Sequence, residues 1–177
     1  MKIMFISDIH GISSNLDKIK ERYIELNCEK LVVLGDIYYI GPRNEMKEDY
    51  NIPEVKDFLN SFDNIIWVKG NCDSEIDEMV NDFPMIDRLG LIEIDNIDMY
   101  ITHGHIYNEE NWKLKKSILI YGHYHIPFIK EKDDILFINP GSISLPKEDN
   151  KPSYLIYENR KFTIYDIYDN IIKEKNI

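Results

Sequence analysis

The chain has 177 residues, of which 44% are hydrophobic and 12% aromatic, so it can bury one substantial core and is neither a disordered nor a collagen-like polymer. Its 32 acidic and 21 basic side chains give a formal net charge of -11, which should repel polyanions from most of the surface. We therefore expect a single domain over residues 1–177, with no extended nucleic-acid partner and no membrane partner; a local positive cleft remains the one exception.

Short apolar runs in the first part of the chain predict buried strands. They cover residues 2–7, 31–34 and 65–68. Between the first two, Ser13 or Ser14 is expected to cap a helix whose apolar residues, such as Leu16 and Ile19, recur at helical spacing. Strands that alternate with helices predict a parallel sheet in this part of the chain.

Two more helices are expected before residue 91. One should follow Pro53, with its apolar side chains facing inward. The other should follow Ser74, and its predicted inward-facing residues are Ile76, Met79 and Val80.

From about Leu91 onward the pattern changes to short β-rich segments joined by turn signals, which predict hairpins. The turn signals are Asp95-Asn96, Asp133-Asp134 and Glu158-Asn159. We therefore expect an α/β fold of the α+β sandwich type, with two packed mixed β-sheets flanked by helices. The last segment, 154–177, suits edge hairpins, and a homo-oligomer formed through it is an open alternative.

All the histidines of the chain directly follow apolar runs. They are His10, His103, His105, His123 and His125. Residues two apart in an extended chain point to the same side. Asp8 with His10, and His123 with His125, are therefore each expected to present two donors in one direction.

Asp36 and Asn71 follow two further apolar runs and are expected to join these donors, because neighbouring parallel strands end at one edge of a sheet. A mixed set of imidazole, carboxylate and amide donors favours manganese, iron, nickel or zinc over calcium. Seven ligands are too many for one ion, but they suit two ions if Asp36 bridges them. Such a centre would be positive and would attract phosphate.

Several motifs resemble those of a known family. Asp8-Ile9-His10, Gly35-Asp36, Gly70-Asn71-Cys72-Asp73, His103-Gly104-His105 and Gly122-His123-Tyr124-His125 are similar, in order and spacing, to motifs of the calcineurin-like metallophosphoesterase superfamily. Its small bacterial YfcE-type branch is further resembled by Gly41-Pro42-Arg43-Asn44, Asn71-Cys72-Asp73-Ser74-Glu75 and Asn139-Pro140-Gly141-Ser142. The resemblance spans nearly the whole chain and implies a metallophosphoesterase-like αββα architecture.

The resemblance also implies a site and a reaction. The first metal would be held by Asp8, His10, Asp36 and His125, and the second by Asp36, Asn71, His103 and His123. Asp36, Asn71 and His103 would be the catalytic residues. The cofactor would be two divalent ions, with manganese preferred and zinc, iron, nickel or magnesium as alternatives. A water or hydroxide shared by the ions would attack the phosphorus of a small phosphodiester in line.

Four other residues are candidates for supporting the ligands or binding substrate. His105 is expected beside the metals rather than on one. Asp73 would either orient its neighbours or cap the helix after Ser74. Arg43 would either clamp a phosphate or form a surface salt bridge. Cys72 stands where many larger relatives have a histidine that is thought to protonate the leaving group. Since a thiol is a poor acid, we hypothesise leaving groups that depart readily, or a proton from water.

Two rival functions stay open at this point. A nuclease of the same superfamily would need a basic groove or an aromatic track, which the sequence does not obviously supply. A protein-interaction subunit, like one of a eukaryotic trafficking complex with this scaffold, would have an eroded metal site, whereas the ligand set here is complete. Two distant cysteines and an apolar start too short for a signal peptide favour a reducing, cytoplasmic location.

Overall fold

The computed structural model describes residues 1–177, which form three helices and twelve strands. The helices are α1 (Leu16–Glu25), α2 (Ile52–Asn60) and α3 (Glu75–Glu78). The first six strands are β1 (Lys2–Ile6), β2 (Lys30–Val33), β3 (Ile65–Val68), β4 (Met85–Ile86), β5 (Gly90–Ile94) and β6 (Ile97–Thr102). The remaining six are β7 (Ile118–Tyr121), β8 (Pro127–Lys132), β9 (Ile135–Pro140), β10 (Ser153–Glu158), β11 (Lys161–Asp166) and β12 (Ile171–Asn176).

The strands form two mixed sheets. One has seven strands in the order β12-β11-β10-β1-β2-β3-β4, and the other has five in the order β5-β6-β7-β9-β8. Neighbours from β1 to β4 are parallel, as predicted for the part of the chain where strands and helices alternate. In the five-stranded sheet, β6, β7 and β9 are parallel and the two outer strands are antiparallel to their neighbours. The predicted pair of mixed sheets is confirmed.

Strand β1 is buried on both of its faces, which is why its sequence is a continuous apolar run. Ile3 and Phe5 belong to the core between the two sheets, whereas Met4 and Ile6 belong to the core under the helices. This alternation follows from the two-residue period of a strand. The loop that follows β1 therefore begins at a strand that is packed on both of its faces.

The helices flank only the seven-stranded sheet. Helices α1 and α2 pack on the core that contains Met4 and Ile6. The outer face of the five-stranded sheet carries a small core that includes Tyr121 and Phe137, and Trp112 from the β6–β7 connection packs against it. The αββα arrangement implied by the resemblance therefore has a helical layer on one side and a loop with aromatic side chains on the other.

The helix ends differ from the predictions in two places. Helix α1 begins after Asn15, and the hydroxyl of Ser13 instead donates to the carbonyl of Asp49 at 3.3 Å, so neither predicted serine is the cap. Helix α2 begins after Asn51, whose side chain accepts from Glu54 N–H at 3.3 Å. Its inward face is Val55, Phe58 and Leu59, as expected.

The inward orientation predicted for the third helix is wrong. Helix α3 is a single turn, held at its start by Ser74 N–H and Oγ donating to Asp77 Oδ2 at 2.7 and 2.9 Å. Ile76, Met79 and Val80 are 68%, 83% and 46% exposed. One turn is too short to present a continuous apolar stripe, so the spacing of these residues carried no information about burial.

The predicted hairpins form. Asp95-Asn96 and Asp133-Asp134 connect antiparallel strands with positive φ at both residues, the backbone of a type I′ turn. The third turn is centred on Asn159-Arg160, one residue later than predicted. None of the three helices has the length and apolar character that crossing a bilayer requires.

Candidate metal centre

Five loops that follow β1, β2, β3, β6 and β7 meet at one end of the two sheets. Most of the predicted donors in them adopt a left-handed backbone, with φ of 55° at Asp8, 54° at His10, 56° at Asp36, 67° at His123 and 61° at His125. The prediction that the paired donors project from extended chain is therefore wrong. Positive φ is costly for residues other than glycine and concentrates at functional sites. The donors converge because the backbone of each loop turns sharply where its strand ends.

The first group of donors contains Asp8, His10 and His125, whose candidate ligand atoms lie within 4.8 Å of one another. His10 Nε2 and His125 Nε2 are 3.3 Å apart. The Nδ1 atoms face backbone carbonyls, of Tyr39 at 2.7 Å and of Leu145 at 2.6 Å. A carbonyl only accepts, so each Nδ1 carries a proton and each Nε2 faces the site.

The second group contains Asp36, His103 and His123, again within 4.8 Å. His103 Nδ1 donates to the Leu34 carbonyl at 2.6 Å, which leaves Nε2 facing Asn71 Oδ1 at 3.1 Å and Asp36 Oδ2 at 3.3 Å. The His103 and His123 rings are 5.1 Å apart between centroids. Asn71 thus lies with this group, on the side to which the resemblance assigned it.

Asp36 lies between the two groups. Its Oδ2 is 3.7 Å from His10 Nε2 and 3.3 Å from His103 Nε2, while its Oδ1 accepts from Cys72 N–H at 2.8 Å. Asp36 also lies in a third cluster, with His10 and Cys72, so its carboxylate connects the two groups.

The donors fit cations better than they fit one another. Asp8 Oδ1 is buried without a hydrogen-bond partner, although His125 Nε2 is only 3.2 Å away. Buried polar atoms are almost always satisfied. A divalent cation between these atoms would satisfy them and would explain why Nδ1 of three imidazoles is fixed on a carbonyl.

Burial and mutual charge also perturb the pKa values of these residues. Burial alone would raise the pKa of Asp8 and of Asp36, but neighbouring histidines, His125 for Asp8 and His103 for Asp36, outweigh it and both values are lowered. Burial would lower the pKa of His103, yet Asp36 and Asp8 raise it to about 9. Burial and the charge of His103 lower the pKa of His123 to about 4. Without metal, His103 is therefore the protonated imidazole of this pair, and His123 is not protonated.

Asp73 fixes the loops that carry Asp36 and Asn71. Its Oδ2 accepts from the N–H groups of Asp36 at 2.8 Å and Gly70 at 2.7 Å and from Trp67 Nε1 at 3.2 Å, and its Oδ1 accepts from Ile37 N–H at 2.8 Å. Of the two roles considered for Asp73, orientation of neighbours is the one observed, since the residue before α3 is Ser74.

Sequence reasoning missed three supporting residues. Ser142 Oγ donates to the Asp8 carbonyl at 2.7 Å and accepts from Leu145 N–H at 2.8 Å, which links the loop of Asp8 to the carbonyl that holds His125. Asn139 Nδ2 donates to the Gly122 carbonyl at 2.6 Å. Lys147 N–H donates to the His125 carbonyl at 3.1 Å. The only signal was the motif Asn139-Pro140-Gly141-Ser142, interpreted as a turn near the site.

Two glycines permit the close approach of these loops. A Cβ at Gly70 would overlap Asp36 Oδ1, and one at Gly122 would overlap Ser7 Oγ and come within 2.7 Å of Asp8 Oδ2. Both glycines have an ordinary backbone, so the requirement is space rather than conformation.

The donors open into a cavity of about 360 Å³. Besides ligand candidates, its lining includes Arg43, Asn44, Cys72 and Lys147. Arg43 forms no salt bridge, so the alternative of a surface ion pair is not observed. His105 does not line the cavity and stacks obliquely beside His103 and His123, with ring centroids 5.4 and 6.2 Å away. A larger cavity of about 600 Å³ lies elsewhere and contains none of the donors.

Comparison with known proteins places this chain in a family. The model of the calcineurin-like phosphoesterase superfamily domain matches residues 1–161. Phosphodiesterase YfcE of Escherichia coli is 35% identical over 175 residues, which cover 97% of this chain and 95% of that protein. Phosphodiesterase MJ0936 of Methanocaldococcus jannaschii is 32% identical over 150 residues, covering 80% and 83%.

Solved structures agree with this placement. The structure of the E. coli phosphoesterase YfcE superposes with a TM-score of 0.95 at 35% identity and covers 100% of both chains. Vps29 from Entamoeba histolytica, solved with zinc, has a TM-score of 0.64 at 20% identity over 100% of this chain and 98% of its own, and so shares the fold. Because the family model matches residues 1–161 and YfcE is 35% identical over nearly the whole chain, the chain belongs to the calcineurin-like phosphoesterase superfamily.

Proposed function

We propose that the chain is a metal-dependent phosphodiesterase that hydrolyses small phosphodiesters with two divalent ions, manganese being the preferred metal. The observation that carries the proposal is the arrangement of metal-ligand donors. The Nδ1 atoms of His10, His103 and His125 face backbone carbonyls, so their Nε2 atoms converge with the oxygens of Asp8 and Asp36. The names of YfcE and MJ0936 as phosphodiesterases support the reaction type.

The donors divide into two sets with Asp36 shared. Asp8, His10 and His125 would hold one ion with Asp36, and His103, His123 and Asn71 would hold the other with it. Two divalent ions held by these residues would supply Lewis-acid polarisation of the phosphoryl group and would activate a water as nucleophile. Asp73 and Ser142 keep the ligand loops at their spacing, so the donors need not reorganise when charge develops.

A small substrate is favoured over a polynucleotide. The chain has a net charge of -11, so an extended polyanion would be repelled beyond the cleft. The cavity lining contains no Phe, Tyr or Trp on which successive bases could stack. Its volume of about 360 Å³ lies at the lower end of the ~300–1,000 Å³ typical of small-molecule sites. We further propose a reducing, cytoplasmic setting, with which the two unpaired cysteines agree.

The test combines metal analysis with hydrolysis of bis(p-nitrophenyl) phosphate by the purified protein. Wild type should bind close to two manganese ions per chain and release nitrophenol, whereas Asp36→Asn should lose at least one ion and nearly all activity. Asp98→Asn, the same change at an exposed position of β6, is the matched control and should behave as wild type.

Wild-type protein that takes up no metal, or that stays inactive in excess manganese, would contradict the proposal and favour a binding scaffold. Rapid cleavage of a labelled single-stranded oligonucleotide, in preference to the small diester, would instead favour the nuclease.

A further inference from the structure

Two cations line the metal cavity without a partner. Arg43 and Lys147 take part in none of the salt bridges of the chain. The only carboxylate in the lining is Asp36, which belongs to the donor set. In a chain with 32 acidic and 21 basic side chains, a cavity with two free cations and no free carboxylate is a local reversal of charge.

The two cations are attached to different ligand loops. Arg43 belongs to a turn in which Asn44 Nδ2 donates to the Ile40 carbonyl at 2.6 Å. A Cβ at Gly41 would lie 3.6 Å from Asn44 Nδ2 and 4.0 Å from Cys72 Sγ, so this turn packs beside the residue that follows Asn71. The backbone that carries Arg43 is therefore tied to the β3 loop.

Lys147 is tied to the other side of the donor set. Its N–H donates to the carbonyl of His125, and its own carbonyl accepts from Asn150 N–H at 3.2 Å and Asn150 Nδ2 at 2.7 Å. A four-residue turn, 147–150, thus holds the base of the lysine next to a ligand loop, while its exposed side chain is free to reach a bound molecule.

The charge in the cavity exceeds what a simple diester needs. The positive charge of two divalent ions already exceeds the negative charge of Asp8 and Asp36. The excess can neutralise the single negative charge of a phosphodiester. Arg43 and Lys147 add two further positive charges next to the centre. Guanidinium and ammonium groups placed without a carboxylate partner are the usual means of recognising phosphate or carboxylate.

We propose that Arg43 and Lys147 form a subsite for a second anionic group, so that the substrate is a phosphodiester that also carries a phosphate or carboxylate. This inference rests on the proposed function and names its substrate class. The scissile diester lies at the metal donors, and the second anion lies between the turn of Arg43 and the turn of Lys147. Because the lining has no aromatic side chain, the rest of the substrate contributes little to recognition.

The experiment uses two chromogenic diesters that differ by one group: the p-nitrophenyl ester of thymidine 5′-phosphate, with and without a 3′-phosphate. The manganese-loaded wild type should have a higher kcat/KM for the ester that carries the 3′-phosphate. The ratio of the two kcat/KM values should fall about tenfold in Arg43→Gln and further in the double variant with Lys147→Gln, the lower end expected for charge-assisted bonds at exposed groups. Lys173→Gln, an exposed lysine on β12, removes the same charge elsewhere and should keep the wild-type ratio.

A binding measurement separates the subsite from turnover. Calorimetric titration of the manganese-loaded protein with thymidine 3′,5′-bisphosphate and with thymidine 5′-phosphate should show tighter binding of the bisphosphate, and the difference should shrink about tenfold in Arg43→Gln.

An unchanged kcat/KM ratio together with an unchanged binding difference in the variants overturns the subsite, including the case where both esters slow equally because the cations contact the scissile phosphate. Wild type that hydrolyses neither these esters nor bis(p-nitrophenyl) phosphate overturns the proposed function. In that case the binding titrations still decide whether the subsite exists.

Discussion

Asp73 should control both stability and metal binding, although it is not a ligand candidate. Asp73 is 7% exposed, and its carboxylate accepts from four N–H groups, those of Asp36, Ile37, Gly70 and the Trp67 indole. Asp73→Asn preserves the shape but replaces one acceptor oxygen by a donor. If the amide oxygen keeps the three bonds of Oδ2, the amide nitrogen faces Ile37 N–H, and two buried donors oppose each other.

The magnitude follows from two opposing effects. A buried group left unsatisfied costs about 1–3 kcal/mol, and the remaining bonds weaken because hydrogen bonds to a charged acceptor are worth about 1.5–3 kcal/mol each against roughly 1 for neutral ones. Burial raises the pKa of Asp73, against the opposing effect of its N–H donors, so removal of the charge recovers part of this loss. We expect a net loss of about 2 kcal/mol, or a Tm lower by roughly 4–8 °C for a chain of this size.

Stability should be measured in chelator, so that metal binding does not contribute, and activity in excess manganese. Displacement of the loops of Asp36 and Asn71 should also lower metal affinity or kcat/KM by roughly 10–100-fold, as for other residues that hold ligands. Asp98→Asn, the same change at an exposed position of β6, is the control and should melt within about 2 °C of wild type. If Asp73→Asn melts like the control and retains full activity, the reasoning about these four hydrogen bonds is refuted.

Two further predictions concern protons at the site. The pKa of His103 is raised to about 9 without metal, so its protonated form stabilises the metal-free protein below its ordinary pKa near 6.5, and this contribution is lost as the pH rises through 9. Manganese needs Nε2 unprotonated, so its apparent affinity should rise up to about tenfold from pH 7 to 8 in calorimetric titrations; an unchanged affinity contradicts this linkage. Burial and the neighbouring Asp36 raise the pKa of Cys72 to about 12, which makes the thiol a poor acid. Cys72→His should therefore raise kcat/KM for alkyl diesters more than for nitrophenyl diesters, and equal changes for both would show that Cys72 does not limit protonation of the leaving group.

Local sequence predicted the elements that carry continuous apolar runs or a clear apolar face. Residues 3–6, residues 65–68 and the inward face of α2 are apolar throughout, so local pattern alone located these elements. It failed for α3, because a single turn gives too few residues to define a face. It also failed for the outer layer of the five-stranded sheet, where the aromatic side chain of Trp112, rather than a helix, covers the core.

For the site, the sequence by itself determined which donors exist and in what order they follow the strands, because both are properties of the chain that need no folding. Only the tertiary structure decided how the donors meet. The bonds from Asp36 and Ile37 N–H to Asp73 and the bond from Ser142 to the Asp8 carbonyl join residues that are 36 to 134 positions apart. Contacts of that separation leave no periodic trace in the sequence, since each residue is selected by a partner that becomes its neighbour only when the sheets pack.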